Sequence, residues 1–132
     1  MFSPDIKILV VDDMMTMRKL VSKVCKELGF SNITEASDGA KAWEAALQAN
    51  SPFGLIISDW NMPNSTGLDL LKRVRSDTRM KQTSFILVTA EAEQHQILEA
   101  IKVGVDQYVT KPFDKETLKA KLDLVYKKYS AA

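Results

Sequence analysis

The chain has a single cysteine and a single histidine in 132 residues. Cys25 alone excludes an intramolecular disulfide. Together with His95 it supplies too few ligands for a zinc site built from thiolates and imidazoles. No apolar run approaches the roughly 18 residues that a membrane-spanning helix needs. The opening residues, Met-Phe-Ser-Pro-Asp, lack the basic region and apolar core of a secretory signal. An excess of one charge is also missing. The 18 Lys+Arg stand against 17 Asp+Glu, a net charge of +1, so the chain lacks the strongly basic stripe with which nucleic-acid binders neutralise phosphates. No glycine-rich loop follows the first apolar segment, which argues against a nucleotide-phosphate cradle. Repeats, low-complexity tracts and linkers are absent. The expectation is a cytoplasmic protein, with neither nucleic acid nor membrane as a partner.

What remains is an ordinary globular composition, 45% hydrophobic and 27% charged, on a length that suits one domain with its own core. Apolar runs at 6–11, 55–57 and 85–88 carry Val, Ile, Leu and Phe on both parities. That pattern marks strands buried on both faces, as in parallel sheets. Residues 32–36 and 107–109 are shorter strand candidates. Between them, helical periodicity predicts helices at 14–28 (Met17, Leu20, Val21, Val24, Leu28), 40–49 (Ala42, Trp43, Ala46, Leu47), 68–76 (Leu70, Leu71, Val74), 92–103 (Ile97, Leu98, Ile101) and 117–129 (Leu118, Leu122, Val125). Gly29 and Gly104 fall where helix stops are expected. Five β-α units imply an α/β fold, a doubly wound five-stranded parallel sheet with helices on both faces.

In such a sheet the functional edge lies beyond the carboxyl ends of the strands. The first strand ends in Asp12 and Asp13, the third in Asp59, the fourth in Thr89 and the fifth near Lys111-Pro112. Three carboxylates, a hydroxyl and an ammonium therefore converge from distant parts of the chain. Crowded carboxylates repel unless a cation intervenes. Lys111 supplies one positive charge, and a hard divalent cation such as Mg²⁺ suits the rest. A metal beside a lysine and a hydroxyl orients a phosphoryl group, and a carboxylate can serve as its nucleophile. Asp59, standing alone at a central strand end, is the candidate acceptor. Taken singly, Asp12-Asp13 could equally cap the following helix and Asp59 could be a solvated loop acid. Trp60 could be a surface aromatic, Trp43 reads as packing, and Tyr108 could be a half-buried strand aromatic. Cys25 faces either the core or a helix flank.

Four segments carry a resemblance: Leu9-Val10-Val11-Asp12-Asp13, Ile57-Ser58-Asp59-Trp60-Asn61-Met62-Pro63, Val88-Thr89-Ala90-Glu91 and Tyr108-Val109-Thr110-Lys111-Pro112-Phe113. Together they resemble the receiver domain of two-component signalling, and in particular the stand-alone chemotaxis response regulators. The resemblance implies a flavodoxin-like strand order 2-1-3-4-5 and a single receiver domain over 1–132 with no effector domain. It implies Asp59 as phosphoacceptor, Mg²⁺ held by Asp12, Asp13, Asp59 and the backbone carbonyl of Asn61, and phosphoryl contacts from Lys111, Thr89 and Ala90. Tyr108 would turn inward behind Thr89. Asn61, Glu91 and Trp60 would tune dephosphorylation or meet a partner, and the Lys111-Pro112 peptide would be cis. The implied partners of this monomer are a chemotaxis-type histidine kinase, a phosphatase and the flagellar motor switch protein, the last docking on the surface of helix four, strand five and helix five.

Two departures from the family pattern stand near the acceptor. Thr66 precedes Gly67 where an acidic residue is common, and Met14 follows the acidic pair. A rival within the fold is a stand-alone receiver acting as a phosphate shuttle or sink. A rival from another class, a phosphoaspartate phosphatase, would carry Asp-x-Asp after the first strand, which Val11-Asp12-Asp13-Met14 does not. The chain is therefore expected to catalyse only its own phosphorylation and dephosphorylation.

Overall fold

The computed structural model describes residues 2–62, 65–90 and 94–130. Its elements alternate: β1 (Ile8–Val11), α1 (Met15–Glu27), β2 (Ile33–Ala36), α2 (Gly39–Gln48), β3 (Leu55–Asp59), α3 (Gly67–Ser76), β4 (Ser84–Thr89), α4 (Gln94–Val103), β5 (Gln107–Thr110) and α5 (Lys115–Ser130). The strands form one parallel sheet in the order β2-β1-β3-β4-β5. This is the doubly wound, flavodoxin-like arrangement that the alternating pattern and the resemblance lead one to expect. Among the described residues no helix is long and apolar enough to cross a membrane.

The unbroken apolar runs follow from burial on both faces. Strand residues of one parity (Ile8, Val10, Leu55, Ile57, Ile86, Val88, Val109) pack with Val21, Val24 and Cys25 of α1 and Leu118, Leu122 and Val125 of α5. The other parity (Leu9, Val11, Ile56, Phe85, Leu87) packs under α2, α3 and α4 through Ala42, Ala46, Leu70, Leu71, Val74 and Ala100. β2 is only half-buried along most of its length, as suits an edge strand with a weak sequence signature.

Helix ends are set by local chemistry. Gly29 and Gly104 have φ of 103° and 110°, the left-handed region that glycine enters without strain. After α1, the amide of Phe30 donates to Cys25 O and that of Gly29 to Lys26 O, a Schellman closure. Thr66, the departure beside Gly67, is the N-cap of α3. Its Oγ1 accepts from the Asp69 amide at 3.1 Å while the Asp69 carboxylate accepts from the Thr66 amide at 3.1 Å, a capping box. α5 begins two residues before the expected 117 because Asp114 caps it, its Oδ1 accepting from the Thr117 amide at 2.8 Å.

Several apolar positions expected inside lie outside. Leu20, Leu47, Leu98 and Ile101 are exposed. The stripe of α1 that meets the sheet runs through Val21, Val24 and Cys25, and Leu20 sits one residue, about 100°, to its side. On α4 the inward position is Ala100, and Leu98 and Ile101 turn away. The first residues of the expected 92–103 helix, Ala92 and Glu93, lie outside the described residues. Trp60 is not a surface aromatic. It is buried in the cluster under α2 and α3. Trp43 is half-buried against the same cluster, with the Arg73 guanidinium 5.9 Å from its ring centroid.

Cys25 takes the core alternative and is fully buried, and burial pushes its thiol up to about 12. The thiolate is the reactive form. The native protein at pH 8 should therefore resist an aromatic disulfide reagent for hours while the urea-unfolded chain reacts within minutes. Rapid labelling of the native protein would contradict the packing of α1.

Candidate functional site

The parallel register brings the strand ends together. Val11 pairs with Ser58, so Asp12 lies level with Asp59. Asp59 pairs with Val88, and Thr89 with Thr110, so Thr89 and Lys111 each follow by one residue. Short backbone bonds hold these extensions. The Asp12 amide donates to Ala36 O (3.2 Å), the Trp60 amide to Val88 O (2.8 Å) and the Lys111 amide to Thr89 O (2.8 Å). The Gly67 amide closes the β3–α3 loop on Trp60 O at 2.9 Å. A side chain at Gly67 would run into the backbone of Asp59 and into Leu87, so this loop requires glycine to approach the strand end.

At this edge Asp12, Asp13 and Asp59 each place a carboxylate oxygen within 4.8 Å of the others. Asp12 and Asp59 are buried and Asp13 is exposed. Lys111 Nζ lies between the buried pair, 3.2 Å from Asp12 Oδ2 and 3.1 Å from Asp59 Oδ1. The second oxygen of Asp12 accepts from the Met14 amide at 2.9 Å. Asp12 thus also steadies the entry to α1, whose N-cap, Met14, contributes no side-chain bond of its own. The Lys111-Pro112 peptide is cis.

The electrostatics follow from crowding. Burial pushes the Asp59 carboxyl up. The hydrogen bond and charge of Lys111 pull it down, and Asp12 and Asp13 push it up again, leaving it above the usual aspartate value. Burial opposes the Lys111 charge, but its bonds and ion pairs with Asp59 and Asp12 outweigh this and hold the ammonium above the usual lysine value. One cation therefore serves three anions. A set of carboxylate oxygens this close, with no sulfur or imidazole, fits a hard divalent ion.

The remaining candidates are placed as follows. Thr89 is buried at the end of β4. It shares its side of the sheet with Leu87, whose β5 partner is Tyr108. Tyr108 is half-buried against the cluster under α2, α3 and α4, and the Lys121 ammonium stands 5.2 Å from its ring centroid. Ala90 and Asn61 are exposed at the same edge. Trp60 is buried immediately after Asp59. Glu91 and Pro63 lie outside the described residues.

The receiver-domain family model, response regulator receiver domain, matches residues 8–123. The chain belongs to this family. It is 44% identical over 119 residues to chemotaxis protein CheY1 of Helicobacter pylori, covering 90% of this chain and 95% of that one. It is 44% identical over 122 residues to chemotaxis protein CheY of Pseudomonas aeruginosa, covering 92% and 97%. The solved structure of CheY4 from Vibrio cholerae superposes with a TM-score of 0.84 at 36% identity, covering 92% of this chain and 98% of that one. The protein is a chemotaxis-type, CheY-like receiver domain. Its family is one of signalling modules rather than classical enzymes, acting in phosphorylation-activated responses between a kinase and a downstream target.

One feature of this receiver edge has no signature in the sequence. Arg18, on α1, donates from Nη1 to Asp12 O at 2.9 Å and from Nε to Glu35 Oε1 at 3.1 Å. A basic residue in a helix has many uses, and its partner on β2 lies 17 residues away, so no local periodicity announces the pair.

Proposed function

We propose that the protein is a chemotaxis-type response regulator whose Asp59 accepts a phosphoryl group from a histidine kinase. The observation that carries this reading is Lys111 Nζ seated between Asp12 and Asp59 in a cluster of three close carboxylates. Asp12, Asp13 and Asp59, with the carbonyl of Asn61, would hold Mg²⁺, which when bound neutralises the crowded anions and the phosphoryl oxygens. An Asp59 carboxylate oxygen attacks phosphorus and forms an acyl-phosphate bond. The phosphorus–nitrogen bond of the kinase phosphohistidine breaks, and the departing imidazole keeps that electron pair. Lys111 then pairs with a phosphoryl oxygen, and the Thr89 hydroxyl and Ala90 amide lie at the strand end where further oxygens would sit.

The output in this reading is a shifted population. Movement of Thr89 toward the phosphoryl group changes the space beside Leu87 into which Tyr108 packs, on the side of α4. The exposed Leu98 and Ile101 of α4 and Leu124 of α5 offer apolar anchors on that surface. The partner proposed is the flagellar motor switch protein, met by the chain in the cytoplasm.

Intact-mass analysis after incubation with acetyl phosphate tests the chemistry. The expected result is one labile phosphoryl adduct that requires Mg²⁺ and does not form when EDTA is present from the start. Borohydride reduction should convert residue 59 alone to homoserine. An adduct at another residue, or none from either acetyl phosphate or a phosphorylated histidine kinase, overturns the reading. Retention of the phosphorylated form alone on immobilised motor-switch protein would support the partner, and equal retention of both forms would overturn it.

A further inference from the structure

The loop that presents Asp12 and Asp13, residues 12–14, is held in an unusual way. α1 has no side-chain cap and no acidic residue in its first turn. The loop instead leans on the Asp12 amide to Ala36 O, the Met14 amide to Asp12 Oδ1, Lys111 Nζ to Asp12 Oδ2, and Arg18 Nη1 to Asp12 O. Lys111 holds the Asp12 carboxylate, whereas Arg18 reaches past the side chains to the loop backbone itself. Arg18 is itself immobilised, its side chain 15% exposed, by Glu35 Oε1. Glu35 is half-buried on β2, opposite Val10 of β1, and its other oxygen is held by Lys19 at 3.1 Å.

We propose that Arg18, braced by Glu35, is a positioning residue that sets the spacing of the Asp12 and Asp13 carboxylates for a small divalent cation. The inference rests on the reading of the acidic cluster as the Mg²⁺ site. The guanidinium is a planar fork that bridges two acceptors at fixed separation, here a loop carbonyl and a strand carboxylate. A lysine at the same position keeps the charge but presents it as a compact point on a flexible stem, without the rigid fork that fixes the separation of the two acceptors. Without the fork the peptide between Asp12 and Asp13 loses its side-chain donor and the Asp13 carboxylate turns with it, while the Asp12 carboxylate stays on the Met14 amide and Lys111, so the spacing of the two carboxylates loosens. Mg²⁺ demands near-ideal octahedral geometry, whereas Ca²⁺ is larger and tolerates varied geometry. Arg18 is therefore a selectivity device as well as an affinity device: loosening it should weaken Mg²⁺ far more than Ca²⁺.

Isothermal titration calorimetry of the full chain with Mg²⁺ and with Ca²⁺ tests this, on the parent, Arg18→Lys, Arg18→Ala and Glu35→Gln, beside thermal melts in EDTA. The expected result is a loss of Mg²⁺ affinity of about tenfold in both Arg18 variants, the size reported for losing a group that orients a metal ligand. Ca²⁺ affinity should fall much less, and Glu35→Gln, which keeps an acceptor, should lie between. A helix-anchoring role alone would lower the melting temperature without changing the Mg²⁺ to Ca²⁺ ratio, and an unchanged ratio overturns the proposal. Should Arg18→Ala not fold, Arg18→Lys and Glu35→Gln carry the test. A parent that binds no Mg²⁺ overturns the metal reading and the proposal together. A parent that binds, with both Arg18 variants equal to it, overturns the positioning role alone.

Discussion

Asp59→Asn is expected to lose the phosphoryl adduct completely and, in EDTA, to melt at a higher temperature than the parent. Both follow from one substitution. The amide nitrogen is not nucleophilic, so no acyl phosphate forms at 59. The amide oxygen still accepts a bond from Lys111, which keeps Asp12 as its second partner at 3.2 Å. What disappears is a buried negative charge beside two others. Because burial and the neighbouring Asp12 and Asp13 leave the Asp59 carboxyl above its usual value, the folded state binds that proton more tightly than the unfolded chain. The sign is then set. As pH rises from the unfolded aspartate value through the raised folded value, the parent loses stability that the Asn variant never had to lose. The difference grows over that window and is flat above it. Its size should be that of an ordinary substitution, roughly 1 kcal/mol, or a few degrees.

Mg²⁺ should reverse the order. A ligand that binds only the folded state adds about 2.7 kcal/mol at a hundred times its dissociation constant. The parent, with three carboxylates, gains this, and the variant with two gains less. Melts at pH 5 and pH 8, with EDTA and with excess Mg²⁺, measure all four conditions. An Asn variant that is less stable than the parent in EDTA would mean that the Lys111 pair outweighs the carboxylate repulsion. An Asn variant that still takes up a labile phosphoryl group would place the acceptor elsewhere.

What was legible in the sequence depended on the range of the interaction. The strands announce themselves because burial on both faces leaves no polar residue inside 8–11, 55–57 or 85–88. The carboxylates, Thr89 and Lys111 are legible as an edge because a parallel sheet gathers every strand end on one side. Side-chain direction on the helices was less legible. Leu20, Leu98 and Ile101 fit a helical apolar stripe, but each helix meets the sheet over a narrower arc than its apolar residues span, and the surplus faces water. Trp60 can read as a surface aromatic because it follows a strand end, where chains usually turn to solvent. Here the β3–α3 loop folds back through the Gly67 amide and buries it. Arg18 with Glu35, and Asp106 with Arg75, were not legible at all. Both join charged residues 17 and 31 positions apart, and each residue alone reads as a solvated charge.

The Asp106 knot carries the largest stability effect expected in this chain. Its carboxylate is 1% exposed, at the end of the sheet opposite Asp59. Oδ2 accepts from Arg75 Nη2 at 3.0 Å and from the Phe85 amide at 2.8 Å, and Oδ1 lies 3.1 Å from Lys128 Nζ. Arg75 in turn donates to Gly104 O at 2.9 Å, Lys81 O at 3.0 Å and Thr83 O at 2.6 Å. One carboxylate thus ties α3, the start of β4, the turn into β5 and the end of α5. Removing one member of a buried charge pair leaves the other uncompensated, and here it also strands the Phe85 amide. Asp106→Ala should therefore cost about 3–5 kcal/mol in a urea titration. Asp106→Asn, which keeps an oxygen for the amide, should cost less, about 1–3 kcal/mol. Lys128→Ala, at a position 59% exposed, should cost under about 1 kcal/mol. Below its own transition, Asp106→Asn should take up phosphate at the parental rate, because neither the acidic cluster nor Lys111 touches the knot. An Asp106→Ala loss under about 1 kcal/mol would mean that Arg75 finds enough water and carbonyl partners to stand alone. A slowed phosphorylation in the Asn variant would mean that the two ends of the sheet are coupled through β4 and β5.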